Sequence, residues 1–417
     1  MIKTKLTIIY SDSRRRDSTV AILIQEMLKK RGQLSFIASR RNFSKILRLT
    51  TPINIVVIGQ INILFDLIYE DGVMRSKYRD INLYFYPAEG YATDREYRMM
   101  YPVKFTYGDL KKIYFWGRES LNWVKCNTDV NVGTLDNTGY PRIKMAATYD
   151  RLKKKPLQPK IGIVGRFNML NDLHGTLTMK YIVLELATEA DYKGVFLKRL
   201  RVEGEAILTI FKVIDFILNS TEYSISFRPH PNEDRDSYLK LKERFGNRFE
   251  LSEEVDVADW IAGCSKILGL ASSSYIDAGL MGVPIICVDK VANIVEETLI
   301  YEPAMKLIYE VAHMPENFDE LKEFITTDLQ SKQSAIFDGL IESNFIGDHP
   351  DPIRHVAETI KFVPNKFTTK VTKLTIDIAD YLLMTKDRLK KNPTLDFDYS
   401  SVFHGRDEHF IQKYLGE

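Results

Sequence analysis

Short apolar runs alternate with longer amphipathic stretches along the whole chain. Residues 6–10 read as a buried strand, and residues 19–30 repeat apolar positions at helical spacing through Val20, Leu23, Ile24, Met27 and Leu28. Residues 34–37 predict a short strand, 42–49 a short helix, and 53–58 a buried strand that stops at Gly59. Strands follow at 82–86 and 112–115, a short helix at 119–124, and residues 129–132 lead into the turn Asn137-Thr138-Gly139-Tyr140-Pro141-Arg142. A second series opens with a strand at 160–165. Helices over 178–189 and 205–218 come next, the latter placing Ile207, Phe211, Ile214 and Ile217 on one face. This repeated strand–helix order predicts an α/β protein with parallel sheets covered by helices on both faces.

The most informative stretch runs over residues 223–289. A strand at 223–227 ends in Arg228-Pro229-His230-Pro231, and a strand at 266–271 ends in Ser272-Ser273-Ser274. A helix over 275–281 is closed by Gly282-Val283-Pro284, and 285–288 is another strand. Polar groups just past strand C-terminal ends stand where open α/β sheets bind ligands. Three hydroxyls beside the first N–H groups of a helix suit a phosphate. His230, held between prolines, can donate to a phosphate oxygen. Further helices are expected at 315–325, with Asn317 as N-cap, and at 354–360 after the turn Asp348-His349-Pro350-Asp351-Pro352.

Arg-Pro-His-Pro at 228–231, followed by the serine run and Asp277-Ala278-x-x-x-Gly282-Val283-Pro284-Ile285, resembles the C-terminal half of GT-B-type glycosyltransferases of bacterial surface polysaccharides. The resemblance is greatest to the surface carbohydrate biosynthesis family, related to capsule and lipopolysaccharide Kdo transferases. There an H-P motif and a serine motif hold the CMP of an activated sugar. The resemblance implies two Rossmann-like domains facing an interdomain cleft, with C-terminal helices crossing back. The expected domains are 1–155 for the acceptor, 156–362 for the nucleotide sugar, and a helical segment 363–417 returning to the first domain. A basic, proline-bearing linker precedes residue 160.

The implied chemistry is metal-independent glycosyl transfer without a bound cofactor. The co-substrate is a CMP-linked donor such as Kdo or a related ulosonic acid, and the acceptor a glycan or glycolipid. Arg228, His230, Ser272, Ser273, Ser274 and Asp277 would hold the nucleotide, with Asp277 serving the helix start or a ribose hydroxyl. Asp172, in the loop after the strand at 160–165, resembles the aspartate of Kdo transferases that attacks the anomeric carbon. In the same loop Arg166 suits a phosphate or a sugar carboxylate, and His174 could act as donor or acid. Glu89, in Tyr86-Pro87-Ala88-Glu89-Gly90, could serve the acceptor, with Asp12 and Gln60 at equivalent strand ends and Arg14, Arg15 and Arg16 meeting an anionic glycan or lipid. Competing readings are a CDP- or UDP-linked donor, as for polyol-phosphate or hexose transfer, and an inactive scaffold of polysaccharide assembly.

Composition narrows this further. At 417 residues the chain is long enough for two full cores, and a net charge of +2 gives no general drive toward nucleic acid. Three cysteines lack metal-ligand spacing; Cys264 and Cys287 sit in apolar contexts and read as core thiols of a reducing compartment. Seven scattered histidines predict no metal site, and Asp396-Phe397-Asp398 is an isolated D-x-D string. The opening segment is not a signal peptide, and the apolar window 53–69 carries Gln60, Asn62 and Asp66. A cytoplasmic protein is expected, any membrane contact being peripheral at the inner membrane.

Overall fold

The computed structural model describes residues 6–11, 14–39, 43, 46, 47, 52–59, 81–101, 107–152, 159–173, 177–188 and 194–363. The chain forms two compact units. One takes the residues up to Lys144 and again from Ile341, the other Met145–Leu340.

The first unit is built on strands β1 (Thr7–Ser11), β2 (Ser35–Ser39), β3 (Asn54–Gly59), β4 (Asn82–Pro87), β5 (Leu110–Phe115) and β6 (Leu135–Asn137). Their order is β2-β1-β3-β4-β5-β6, and every pair is parallel. β1, β3 and β4 are buried throughout, as continuous apolar runs in a parallel sheet should be. Two elements differ from expectation. β6 is a three-residue strand that a pattern search passes over. Beyond it, the Pro141–Leu152 helix replaces a turn and the start of a linker. Proline suits a first helical position, where its missing N–H has no intrahelical partner to lose.

The second unit holds β7 (Lys160–Val164), β8 (Ser224–Arg228), β9 (Phe249–Leu251), β10 (Lys266–Gly269) and β11 (Ile285–Cys287), all parallel, in the order β11-β10-β7-β8-β9. The sheet is doubly wound, and its direction of winding reverses between β7 and β10. The Val195–Ser220 helix is longer than the pattern predicted; of the predicted face Ile214 and Ile217 are buried and Ile207 packs against the core. Val202, Ala206, Ile210, Val213, Ile214 and Ile217 point into the core, while Phe211 is 43% exposed. The helix over Ser274–Leu280 ends as expected. Gly282 takes the left-handed φ of 62°, and the N–H of Val283 reaches back to Ala278 O at 2.9 Å. Asn317 caps the Phe318–Thr326 helix by accepting from the N–H of Asp319 and Glu320, each at 3.0 Å.

The chain rejoins the first unit at Ile341, before the segment expected to return; from 364 onward that segment lies outside the described residues. The reason is the apolar face of the Pro352–Thr359 helix. Ile353, Val356 and Ala357 are buried as it packs against the Arg14–Lys30 helix. The Arg31 guanidinium caps its end at Ala357 O, and Lys361 O accepts from Asn54 Nδ2 at 2.8 Å. Cys264 and Cys287 are buried, as expected of core thiols; burial pushes the Cys264 thiol up to about 12. Among the described residues no helix is long and apolar enough to cross a membrane.

Gly117 reports on this return. A Cβ there would meet backbone atoms of Asn344 at 2.3–2.7 Å. Gly117→Ala is therefore expected to destabilise the first unit by about 1–3 kcal/mol, read as a lower urea midpoint; an unchanged midpoint would refute the contact.

Candidate functional site

Three loops leave the C-terminal ends of the neighbouring strands β8, β7 and β10, and these loops carry the motifs singled out in the sequence. The loop after β7 is laced to the one after β8. Gly165 N–H donates to Arg228 O at 2.7 Å, Leu173 N–H to Asn232 O at 3.0 Å, and Asp234 N–H to Asn171 O at 3.0 Å. Asp172 and Glu233 form an isolated antiparallel bridge, and both are buried. Gly165 has to be glycine, because a Cβ would stand 2.8 Å from Pro229 Cα and 3.0 Å from Arg228 O.

Glu233, which sequence reasoning missed, is the clasp of this arrangement. Its Oε1 accepts from the N–H of Phe167 at 2.9 Å and of His230 at 3.0 Å, and Tyr238 Oη donates to Oε2 at 2.5 Å. Burial pushes its carboxyl up to about 7, against the hydrogen bonds that favour the ionised form. Glu203 on the long helix fixes the same loop from below, accepting from Met169 N–H at 2.7 Å and Leu170 N–H at 3.1 Å. An acid one turn beyond a histidine-proline pair is the only sequence signal that could have flagged Glu233.

His230 is partly exposed. Its Nδ1 accepts from Asn232 N–H at 3.2 Å, so the neutral ring carries its proton on Nε2. Arg228 is directed at the loop after β9. It donates to Glu254 O at 2.7 Å and Val255 O at 2.9 Å, with its guanidinium over Trp260.

The serine turn after β10 is held from two sides. Asp289 Oδ1 accepts from Ala271 N–H at 3.3 Å, and Tyr309 Oη donates to Oδ2 at 2.6 Å. Arg166 reaches from the β7 loop to Ala271 O and to Glu302. Burial opposes its charge, but Glu302 and Tyr301 outweigh that and hold its pKa up. Arg166 thus spans the winding reversal as a brace. Within the turn, Ser274 Oγ lies 3.0 Å from Ser272 Oγ and Ser274 N–H donates to the same oxygen at 3.3 Å. Ser273 is exposed, whereas Asp277 is buried in the body of the helix.

In the first unit Glu89 is exposed just after β4. Its turn is rigid: Trp116 Nε1 donates to Pro87 O at 3.0 Å and Tyr97 Oη to Gly90 O at 3.0 Å. Asp12, Gln60, His174 and Asp396-Phe397-Asp398 lie outside the described residues, as do the side chains of Arg14, Arg15 and Arg16. Histidine spacing predicts no metal site, yet among the described residues the fold brings three potential ligands within 4.8 Å of one another, Asp136, His349 and His355, also in the first unit.

The raised carboxyl of Glu233 fixes a pH dependence. Its folded value of about 7 exceeds its ordinary 4.5, so its contribution is complete below 4.5 and is lost as pH rises through 7. Glu233→Gln imitates the protonated acid. Its stability relative to wild type should match near pH 4.5 and gain up to about 3 kcal/mol above pH 7. Parallel stability–pH profiles would remove the carboxyl from this role.

No protein-family model and no curated protein matches the chain. Similar solved structures include the wall teichoic acid polymerase TagF, 10% identical, covering 89% of this chain and 90% of that one, with a TM-score of 0.50. The UDP-GlcNAc 2-epimerase of Methanocaldococcus jannaschii, solved with UDP-GlcNAc and UDP, is 13% identical over 84% of this chain and 98% of its own, with a TM-score of 0.45. MurG of Acinetobacter baumannii is 9% identical over 85% and 99%, with a TM-score of 0.36. At 10% identity the likeness to the polymerase extends to the fold, which with its two parallel Rossmann-like sheets is of the GT-B type.

Proposed function

We propose that the chain is a nucleotide-sugar-dependent glycosyltransferase whose donor nucleotide sits on the C-terminal edge of β8, β7 and β10. One observation carries this reading. His230, the serine turn and the Asp172 loop converge on three adjacent strand ends at a winding reversal, where doubly wound sheets take ligands. The donor is a CMP-linked acidic sugar, Kdo or a related ulosonic acid, and the acceptor is a surface glycan or glycolipid. Support for the CMP-linked donor is the H-P and serine motif pair in the sequence. The protein works in the cytoplasm, with any membrane contact peripheral.

In this reading His230 Nε2–H and the hydroxyls of Ser272, Ser273 and Ser274 meet the donor phosphate. Arg166 braces the serine turn through Ala271 O and Glu302, and Asp277 serves the helix start or a ribose hydroxyl. Asp172 attacks the anomeric carbon while the bond to the phosphate oxygen breaks, and CMP leaves with that electron pair. The acceptor hydroxyl then displaces Asp172 and gives its proton to a general base, and Glu89 is assigned to serve the acceptor. Protein donors meet the phosphate charge, so added magnesium or manganese should leave turnover unchanged.

Thermal denaturation against CMP, CDP, UMP, UDP and GDP tests the nucleotide, since a ligand of the native state raises its stability by mass action. A shift with CMP alone is expected. A shift with CDP or UDP would replace the donor class, and no shift with any nucleotide would leave an inactive scaffold. His230→Ala should weaken CMP binding by about 1.5–3 kcal/mol; unchanged affinity would remove it from the clamp. Asp172→Asn and Glu89→Gln should each suppress turnover with nucleotide binding intact, and retained activity would refute either role.

A further inference from the structure

The first unit contains a second arrangement of chemically active side chains that glycosyl transfer does not use. Asp136 lies on β6, His349 in the loop after the Ala335–Phe345 helix, and His355 on the Pro352–Thr359 helix. His355 Nε2 is 3.0 Å from both carboxylate oxygens of Asp136, and His349 Nε2 is 3.6 Å from Oδ1. The two imidazole rings stack face to face, with centroids 3.3 Å apart and planes 11° apart. One ligand atom from each residue lies within 4.8 Å of the others.

A single His355–Asp136 bond would suffice to pin the helix to the sheet. The second ring needs another reason. At 3.6 Å its nitrogen is too far for a hydrogen bond, yet it is aimed at the same carboxylate. Metal–nitrogen and metal–oxygen bonds of 2.0–2.2 Å put ligand atoms about 3.0–3.5 Å apart at the corners of a coordination shell. The two edges to Asp136, 3.0 and 3.6 Å, bracket that range, and the partly exposed His349 ring would turn out of the stack to bring its lone pair onto the same ion. Two imidazoles and one carboxylate are a donor set for divalent first-row ions, zinc among them.

The supports are also those of a built site. Thr138 Oγ1 donates to Asp136 Oδ1 at 3.1 Å, an outer-shell bond that orients the carboxylate. Asp348 N–H donates to Asn137 O at 2.8 Å, and Asn137 Nδ2 to Asp348 Oδ1 at 3.0 Å, which fixes the residue before His349 against the end of β6. Gly347 lies so close to that strand end that a Cβ would fall 2.2 Å from Gly139 N and 2.4 Å from Thr138 C. Asp351 caps the following helix by accepting from Arg354 N–H at 3.1 Å, which sets the turn carrying His355. One group opposes a cation here. Lys112 Nζ stands 3.6 Å from Asp136 Oδ2 and is partly exposed, so it can swing into water.

We propose that Asp136, His349 and His355 bind one divalent transition-metal ion, which clips the returning C-terminal segment to β6. The test uses the full chain, stripped with chelator and dialysed, then titrated with zinc by calorimetry and with cobalt by visible absorption. One ion per chain is expected, with d–d bands of cobalt held by nitrogen and oxygen ligands and a higher melting temperature with zinc. His349→Ala and His355→Ala should each abolish saturable binding, and Thr138→Val should weaken it about 10-fold or more. Lys112→Met should tighten it by removing the competing charge. His349→Ala is decisive if His355→Ala fails to fold, since the His349 ring is partly exposed and makes no hydrogen bond to Asp136. The absence of stoichiometric binding, or binding unchanged in His349→Ala, would overturn the proposal. Nucleotide thermal shifts read the second unit separately, so either reading can fail without the other.

Discussion

The carboxyl of Glu233 is the interaction on which the candidate site depends. Two loops cross at the ends of β7 and β8, and their crossing leaves the N–H groups of Phe167 and His230 away from water. One oxygen of Glu233 accepts from both. A buried N–H without an acceptor costs about 1–3 kcal/mol, so the clasp decides whether the loops close at all. Its second oxygen takes the Tyr238 hydroxyl, which packs on Phe227 of β8. The position of His230 therefore follows from the sheet core through one carboxyl.

A division of labour follows among the charged groups. Arg166 and Arg228 have the charge to bind a phosphate, but both are buried and serve backbone carbonyls. Desolvating a guanidinium is costly, and here the carbonyls of Ala271, Glu254 and Val255, with Glu302, offset that cost. Asp289 performs the same service for the serine turn from the end of β11. What remains toward solvent is compact: an imidazole, three hydroxyls and the backbone of a tight turn. Such a surface is rigid before a ligand arrives, so less ordering has to accompany binding.

The first unit solves a different problem, the recovery of its own chain after a long excursion. Thr7, Gln33, Asn54 and Asn82 form a buried polar row across the N-terminal ends of β1, β3 and β4. From that row the amides of Gln33 and Asn54 donate to the returning backbone at Lys361 O. At the opposite end of the returning helix, Asp136 and the two stacked histidines perform the matching task. The helix between them is buried by Ile353, Val356 and Ala357, so apolar burial holds its middle and polar contacts fix its register.

Much of the fold was legible because parallel strands are short continuous apolar runs and the intervening helices carry an amphipathic period. β1, β3, β4, β7, β8 and β10 announce themselves that way, and the Gly282 and Asn317 caps follow from local chemistry that needs no tertiary context. The strands β6 and β9 are as short as β11 but carry an acid at their centre instead of an apolar run, and they exist because neighbours supply their hydrogen bonds. The candidate site divides in the same way. The sequence by itself determined that His230 and the serine turn follow strands, since prolines, glycine and hydroxyls fix local backbone. Which strands are neighbours, and so whether these groups meet, was decided by the sheet order. The clasp of Glu233, the brace of Arg166 and the approach of His349 and His355 to Asp136 join residues from separate stretches of the chain. Such contacts have no local period or propensity to betray them, and only the closed tertiary structure could reveal them.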